Sequence, residues 1–316
     1  MRVILITMTN DKEAPAIEIK GLTKSFKGHL SIGRFQALDG VDLVVPGGVI
    51  YGFLGPNGAG KTTTLKILTG MLSPDEGRIR IFGEKAYGTA VASRIGFLPE
   101  APYFYEYLTG RELLMFFGRL FGLPRKLLKE RASYLLDRVG LTEKAGLQLR
   151  KYSKGMLQRI GLAQAMLNDP DLVILDEPMS ALDPIGRREV RDVILDMKRD
   201  GKTVFFSSHI LADAEMICDE VAILVKGKVV EHGSLDVLLE RDVHFWDVSV
   251  KGWKPPAKLG DAVVVNRKNN VLLRIEREKA VQEVIDMARE AGGQILGVTP
   301  HKASLEDLFM ERIPEG

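Results

Sequence analysis

The sequence predicts an α/β protein: a mainly parallel sheet built on a phosphate-binding loop, with an antiparallel β arm, an inserted helical subdomain and a small C-terminal α+β domain. Three observations carry this. Residues Gly55-Pro56-Asn57-Gly58-Ala59-Gly60-Lys61-Thr62 match the Gly-x-x-x-x-Gly-Lys-Ser/Thr pattern without a mismatch, between an apolar run ending at Leu54 and a stretch with helical spacing. A second apolar run, Leu172-Val173-Ile174-Leu175, leads straight into Asp176-Glu177-Pro178. Around and after these runs, strand patterns alternate with helical ones, the signature of β-α-β units.

With 316 residues, 45% hydrophobic and 27% charged, the chain has the composition of a soluble globular protein of about two domains. A net charge of +2 is too mild for a nucleic-acid footprint, so no nucleic acid is expected as a partner. The single cysteine, Cys218, forms no internal disulfide; beside Met216 and Ile217 it reads as a packed thiol in a reducing cytosol. Val3-Ile4-Leu5-Ile6 is too short for a signal core or a membrane span, and no later segment reaches the ~18 apolar residues of a spanning helix. Any membrane role therefore comes through a partner.

Residues 1–15 read as a flexible tail, 16–240 as the nucleotide domain and 241–316 as an accessory domain. From Ile17, the alternation of Ile17 and Ile19, then of Val41, Leu43 and Val45, predicts half-buried strands, with a polar insertion from Lys27 to Gln36 between them. Pro46-Gly47-Gly48 turns into the strand before the P-loop. The helix after the loop is predicted to reach Leu72, with Leu65, Leu68 and Leu72 on one face. Strands follow at Ile79-Arg80-Ile81-Phe82 and Ile95-Gly96-Phe97-Leu98, the latter ended by Pro99.

Residues from about 100 to 164 turn helical and form the inserted subdomain. Thr109 and Glu112 make a capping-box pattern, Pro124 reads as a first-turn proline, and Ser153 is a natural N-cap for a helix stopped at Asp169-Pro170. Asp183-Pro184 opens another helix, closed at Gly201; Thr203–Phe206 and Val221–Val225 are strands, and Gly227–Gly233 returns as a hairpin arm. Past Glu240 come strands at Phe245–Val250, Ala262–Val265, Val271–Ile275 and Ile295–Val298, a helix around Val281–Ala291, and a loop from Lys251 to Lys258.

The loop dictates its chemistry. Glycines let successive backbone N–H groups wrap a polyanion, and the helix start adds unpaired N–H groups and partial positive charge. Lys61 can reach the β- and γ-phosphates and the Thr62 hydroxyl can ligate Mg²⁺. This is a P-loop NTPase core.

Over residues 16–235 the chain resembles the ATP-binding subunits of ABC transporters. Tyr152-Ser153-Lys154-Gly155-Met156 corresponds to the family's signature, Leu172–Asp176 with Glu177 to its Walker B segment, Ser180-Ala181-Leu182-Asp183 to its D-loop and His209 to its H-loop histidine. The order matches throughout. The resemblance implies ATP and Mg²⁺ as cofactors, bound through Gly55, Pro56, Asn57, Gly58, Ala59, Gly60, Lys61, Thr62 and Thr63, with Glu100, Asp176 and Asp183 contributing. Phe26 is the candidate for stacking on adenine, with Phe35 in competition. Thr62, Glu100 and Asp176 are the implied metal ligands, and Lys61, Glu177 and His209 the implied catalytic residues.

Two departures from the family stand out. Glu100 replaces a usual Gln, exchanging a neutral oxygen ligand for a carboxylate; Tyr152 and Met156 replace the commoner Leu and Gln of the signature, while Ser153 and Gly155 are kept. The resemblance further implies a head-to-tail dimer, of two copies or with a homologue, in which Ser153 and Gly155 cap the γ-phosphate held by the other subunit. It implies an integral-membrane permease as partner and a place on the cytoplasmic face. Tyr103-Phe104-Tyr105 and Tyr107 are read either as local packing or as a groove for that permease. The tail Ser304-Leu305-Glu306-Asp307-Leu308-Phe309 resembles that of subunits serving exporters. The alternative is a soluble ATPase of this type acting on ribosomes or nucleic acid, usually with tandem domains or a long coiled-coil insertion, which the sequence lacks.

Overall fold

The computed structural model describes residues 14–27, 33–180, 182–239, 243–256, 263–267, 270–302 and 304–312. Most of the expected tail, the middle of the 27–36 insertion, Ala181, Glu240, the end of the 251–258 loop and Ala262 lie outside the described residues.

Contacts divide the chain into two compact units, Met1–Gly233 and Ser234–Gly316. In the first, a six-stranded sheet runs in the order β10-β9-β3-β8-β7-β6, formed by β3 (Ile50–Leu54), β6 (Ile95–Leu98), β7 (Leu172–Leu175), β8 (Thr203–Ser208), β9 (Glu220–Val225) and β10 (Lys228–Ser234). Pairings β9-β3, β3-β8, β8-β7 and β7-β6 are all parallel. Every residue of β3, β7 and β8 is buried, which is why β7 reads as a continuous apolar run and β3 and β8 as largely apolar ones. Each fully buried Leu, Ile, Val or Phe there contributes roughly 1.5–3 kcal/mol.

The antiparallel arm is a separate sheet in the order β2-β1-β4-β5, from β1 (Ile17–Lys27), β2 (Arg34–Val45), β4 (Glu76–Ile81) and β5 (Glu84–Lys85). The Gly227–Gly233 stretch returns beside the preceding strand as expected: as β10 it pairs with β9 and edges the main sheet. The ends of the 27–36 insertion are not a loop, for Phe26 pairs with Phe35 and Lys27 with Arg34, extending the hairpin. One core cluster joins arm and sheet through Ile17, Ile19, Leu43, Val45, Ile79 and Ile81 against Tyr51, Phe53 and Phe205.

Between them lies α1 (Lys61–Leu68), whose Leu65 and Leu68 enter the same core. It ends a turn earlier than the spacing suggested. Gly70 stands at φ 74° and breaks the helix, yet Leu72 still packs on the core. Beyond the short α2 (Thr89–Ala92), the helical subdomain comprises α3 (Gly110–Leu120), α4 (Arg125–Arg138) and α5 (Lys154–Ala165). The Thr109/Glu112 capping box closes reciprocally, with Glu112 N donating to Thr109 Oγ1 at 3.2 Å and Thr109 N to Glu112 Oε2 at 2.9 Å. Pro124 sits at the N-cap of α4, one place before the first turn, because its ψ of 139° is extended.

The 16-residue α6 (Pro184–Arg199) and the short α7 (Leu211–Glu215) complete the first unit. Cys218 is half-buried against Gly52, and burial pushes its thiol pKa up, as a packed thiol requires. The second unit holds α8 (Leu235–Leu239), which the sequence reading placed with the nucleotide domain. Its antiparallel sheet runs β12-β13-β11-β14, from β11 (Val243–Lys251), β12 (Val263–Arg267), β13 (Asn270–Ile275) and β14 (Gln294–Lys302), with α9 (Glu278–Glu290) packed on it. Val248, Val250, Leu273 and Ile275 face Val281, Val284 and Ala288. Trp253, in the predicted loop, is only 7% exposed and closes this core. The Ser304 motif caps α10 (Leu305–Arg312): Ser304 N donates to Asp307 Oδ2 and Asp307 N to Ser304 Oγ.

Candidate nucleotide-hydrolysis site

Because β3, β8 and β7 are parallel neighbours, their C-terminal ends deliver the P-loop, Ser207-Ser208-His209 and Asp176-Glu177 to one crevice. The loop is fastened from beneath: Gly55 N donates to Ser208 O at 3.2 Å and Gly227 N to Ala59 O at 3.0 Å. Its glycines are obligatory. A Cβ on Gly60, at φ 110°, would stand 2.5 Å from Ala37 O, and one on Gly55 2.2 Å from Leu224 O.

Lys61 Nζ donates to Gly55 O at 2.7 Å and to Pro56 O at 3.2 Å, and lies 3.3 Å from Glu177 Oε1. His209 Nδ1 is 2.8 Å from Glu177 Oε2. One carboxylate thus sits between a lysine and a histidine. Glu177 is only 6% exposed and adopts φ 48°, a left-handed backbone that costs a non-glycine residue about 1–3 kcal/mol. Alongside it, Asp176 Oδ1 accepts from Ser207 Oγ at 2.7 Å and from Thr62 Oγ1 at 3.2 Å. Burial holds the Asp176 pKa above the usual carboxylate value; the hydrogen bonds from Ser207 and Thr62 oppose that rise and the neighbouring Glu177 charge adds to it.

Above the loop opens a cavity of ≈ 360 Å³. Asn57, Gly58, Gly60, Lys61, Thr62 and Thr63 line it, Phe26 and Phe35 contribute from the tip of the arm, and Glu100 and Glu177 complete it. Phe26 and Phe35, paired across the hairpin, both line the same cavity. Glu100, exposed, joins it from the end of β6. The donors fit Mg²⁺: a hydroxyl and a carboxylate already paired to each other are hard oxygen ligands, and this ion takes one or two such groups besides substrate phosphates. Among the described residues no cluster of three or more His, Cys, Asp or Glu that could hold a metal ion occurs.

Three predicted residues stand apart from this cavity. Ser153 is the exposed N-cap of α5, accepting from Met156 N at 3.2 Å; Gly155 lies two residues on, in the first turn; and Asp183 caps α6, accepting from Gly186 N at 2.7 Å. Sequence reasoning missed Ala37, which lines the cavity, and Ser207. The signal for Ser207 was a polar residue ending an apolar strand two places before His209.

A family model described as ABC transporter matches residues 38–180. An ABC transporter ATP-binding protein of Synechocystis, itself uncharacterized, is 40% identical over 306 residues, covering 96% of this chain and 86% of its own. The chain belongs to the ATP-binding proteins of ABC transporters. A Nod factor export ATP-binding protein of Ralstonia nicotianae is 35% identical, covering 77% of this chain and 74% of its own. A solved dimeric ATP-binding cassette in a post-hydrolysis state with ADP and Pi superposes with TM-score 0.63 at 25% identity, covering 69% of this chain and 98% of its own.

In this ABC ATPase, Tyr152 has a partner visible in the packing. The Tyr152 hydroxyl donates to Lys144 O at 2.9 Å, tying the signature to the turn after α4. Met156 instead borders a surface hollow with Arg159 and Asp137. Of the aromatic cluster, Phe104 is packed, whereas Tyr103 is 94% exposed and Tyr105 and Tyr107 form an open cluster with Phe116. Packing and exposure are thus divided within the segment.

Proposed function

We propose that this ATPase drives a separate integral-membrane permease, for export, from the cytoplasmic face of the membrane. Two subunits, identical or homologous, close head to tail around two ATP-Mg. The observation that carries the hydrolytic part is Glu177, buried and held by His209 at 2.8 Å and Lys61 at 3.3 Å beside the phosphate loop. In that place a carboxylate can take a proton from an attacking water, while His209 orients it. Lys61 turns from the Gly55 and Pro56 carbonyls to the phosphates when nucleotide enters. Thr62 and Asp176, with Glu100 at the rim, would hold Mg²⁺, which when bound neutralises charge developing on the phosphates. Phe26 and Phe35 supply faces for the base.

The dimer reading rests on Ser153, Gly155 and Asp183, exposed or half-exposed and remote from their own chain's cavity, and on the dimeric solved relative. No helix among the described residues is long and apolar enough to cross a membrane, and the proposal assigns the path to a separate permease. Export is supported by the Nod factor export relative and by the likeness of the Ser304–Phe309 tail to that of exporter subunits. Tyr103, Tyr105 and Tyr107 are its docking anchors, exposed aromatics of the kind that dominate binding energy.

The test is purification of the tagged protein in mild detergent. Copurification of a multi-span membrane protein, lost in a Tyr103→Ala/Tyr105→Ala variant that keeps its ATPase activity, is expected. Recovery with ribosomes or nucleic acid and no membrane protein would replace the transporter reading with the soluble one.

A further inference from the structure

Strand β8 lies between the P-loop strand and the Asp176 strand, and ends in two consecutive buried serines. Its neighbours upstream, Val204, Phe205 and Phe206, are wholly buried and apolar. A serine with no exposed surface in that setting costs free energy unless its hydroxyl is used at both ends. Ser207 uses both. Its Oγ donates to Asp176 Oδ1 at 2.7 Å and accepts from Glu177 N at 2.8 Å, so one atom fixes the rotamer of one carboxylate and the peptide carrying the next.

That second bond meets a backbone under strain. Glu177 stands at φ 48°, and its amide hydrogen bond to Ser207 helps hold it there, with the side chain aimed at His209 and Lys61. Ser208 finishes the construction. Its Oγ accepts from Ile210 N at 2.9 Å, closing the turn that presents His209, and its carbonyl receives Gly55 N.

From these contacts we infer that Ser207 is a positioning residue for ATP hydrolysis: its single hydroxyl sets the geometry of both Asp176 and Glu177. The inference rests on the proposed role of Glu177 as the group that activates water. It makes no contact with the cavity of its own, so it acts on turnover through the carboxylates it holds. Loss of the hydroxyl frees the Asp176 carboxylate to turn and the Glu177 peptide to relax toward φ < 0. ATP binding, borne by the P-loop and the arm, stays.

The decisive pair is Ser207→Thr against Ser207→Val, which differ by one hydroxyl at nearly equal volume and share any strain from the added methyl. Steady-state ATPase activity of the full chain is measured over ATP and Mg²⁺ concentration, together with the melting temperature, and Glu177→Gln is run in parallel. The Val variant is expected to lose about tenfold in kcat relative to Thr, with KM for ATP within about twofold and a raised Mg²⁺ requirement. Equal kcat in Thr and Val, or a difference carried by KM alone, would overturn the inference. Should Glu177→Gln keep wild-type turnover, the reading of Glu177 fails instead, and the two failures are told apart.

Discussion

The proposed mechanism sets two surfaces of the chain against phosphate, and they are built in opposite ways. At the P-loop three charged groups are buried and cross-linked, with only Glu100 exposed at the rim: Lys61, Asp176 and Glu177 are each at most 6% exposed and each bonded within the crevice. At the signature, Ser153 and Lys154 are exposed, Gly155 is half-buried, and a Cβ on Gly155 would meet only Leu182 Cδ2 at 4.0 Å. The first surface is complete within one chain. The second has open space at Gly155, and in the proposed dimer it is the half-site that another subunit's nucleotide would complete.

The largest effect should come from the complete surface. Glu177→Gln keeps shape and hydrogen-bonding reach to His209 but removes the base, so turnover should fall roughly 100-fold or more while ATP still binds. Hydrolysis near wild type would end the claim that this carboxylate activates water.

A smaller but more discriminating effect is expected at the open surface. Since Gly155 has free space around it, Gly155→Asp should leave the monomer's melting temperature and its ATP affinity unchanged. Placed against a partner's γ-phosphate, the new carboxylate should cut ATP-induced dimerisation and lower turnover by about tenfold or more through like-charge repulsion. By contrast, Gly60→Ala would strike Ala37 O and damage the loop itself. If Gly155→Asp dimerises as well as wild type with ATP, the two surfaces do not face each other across subunits.

Much of this contrast was legible in the sequence, because short-range motifs encode it. The P-loop, the Leu172–Glu177 run and the Thr109 and Ser153 caps are each decided by residues within one turn or strand, and the structure places them as the pattern implies. What escaped depends on long-range pairing. That β10 joins the main sheet while β1, β2 and β4 form their own is a matter of partners far apart in the chain. Trp253 lies in a loop, as its proline-bearing local pattern implies, but only the second unit's core explains its burial. Ser207 escaped for the same reason, its two partners lying thirty-odd residues upstream.

A third effect tests the wall of the cavity. Phe26 and Phe35 are paired across the hairpin, and both have substantial exposed area, 40% and 58%, for a planar base to cover. Phe26→Ala and Phe35→Ala should each raise KM for ATP a few-fold with kcat retained, in keeping with about 1 kcal/mol for a lost stacking partner. A change in one variant only would return the adenine contact to a single ring.

The smallest effect concerns what holds that wall in place. Asp75 accepts from Lys24 Nζ at 2.7 Å, Ser25 N at 2.7 Å and Ser25 Oγ at 2.9 Å, and these bonds, Lys24 first, pull its pKa down to about 2. A carboxyl whose folded pKa lies below its unfolded value stabilises the fold above the unfolded value, near 3.8, and loses that contribution as pH falls toward 2. Lys24 also sits over the Phe26 ring, 5.7 Å from its centroid, so Asp75 steadies the strand that carries the aromatic wall. Asp75→Asn should therefore flatten the acid limb of the stability curve between about pH 4 and pH 2 and raise KM for ATP slightly at neutral pH, with dimerisation and kcat unaffected. An unchanged acid limb would show that this exposed carboxylate is screened by solvent and that the arm's hairpin hydrogen bonds hold Phe26 without it.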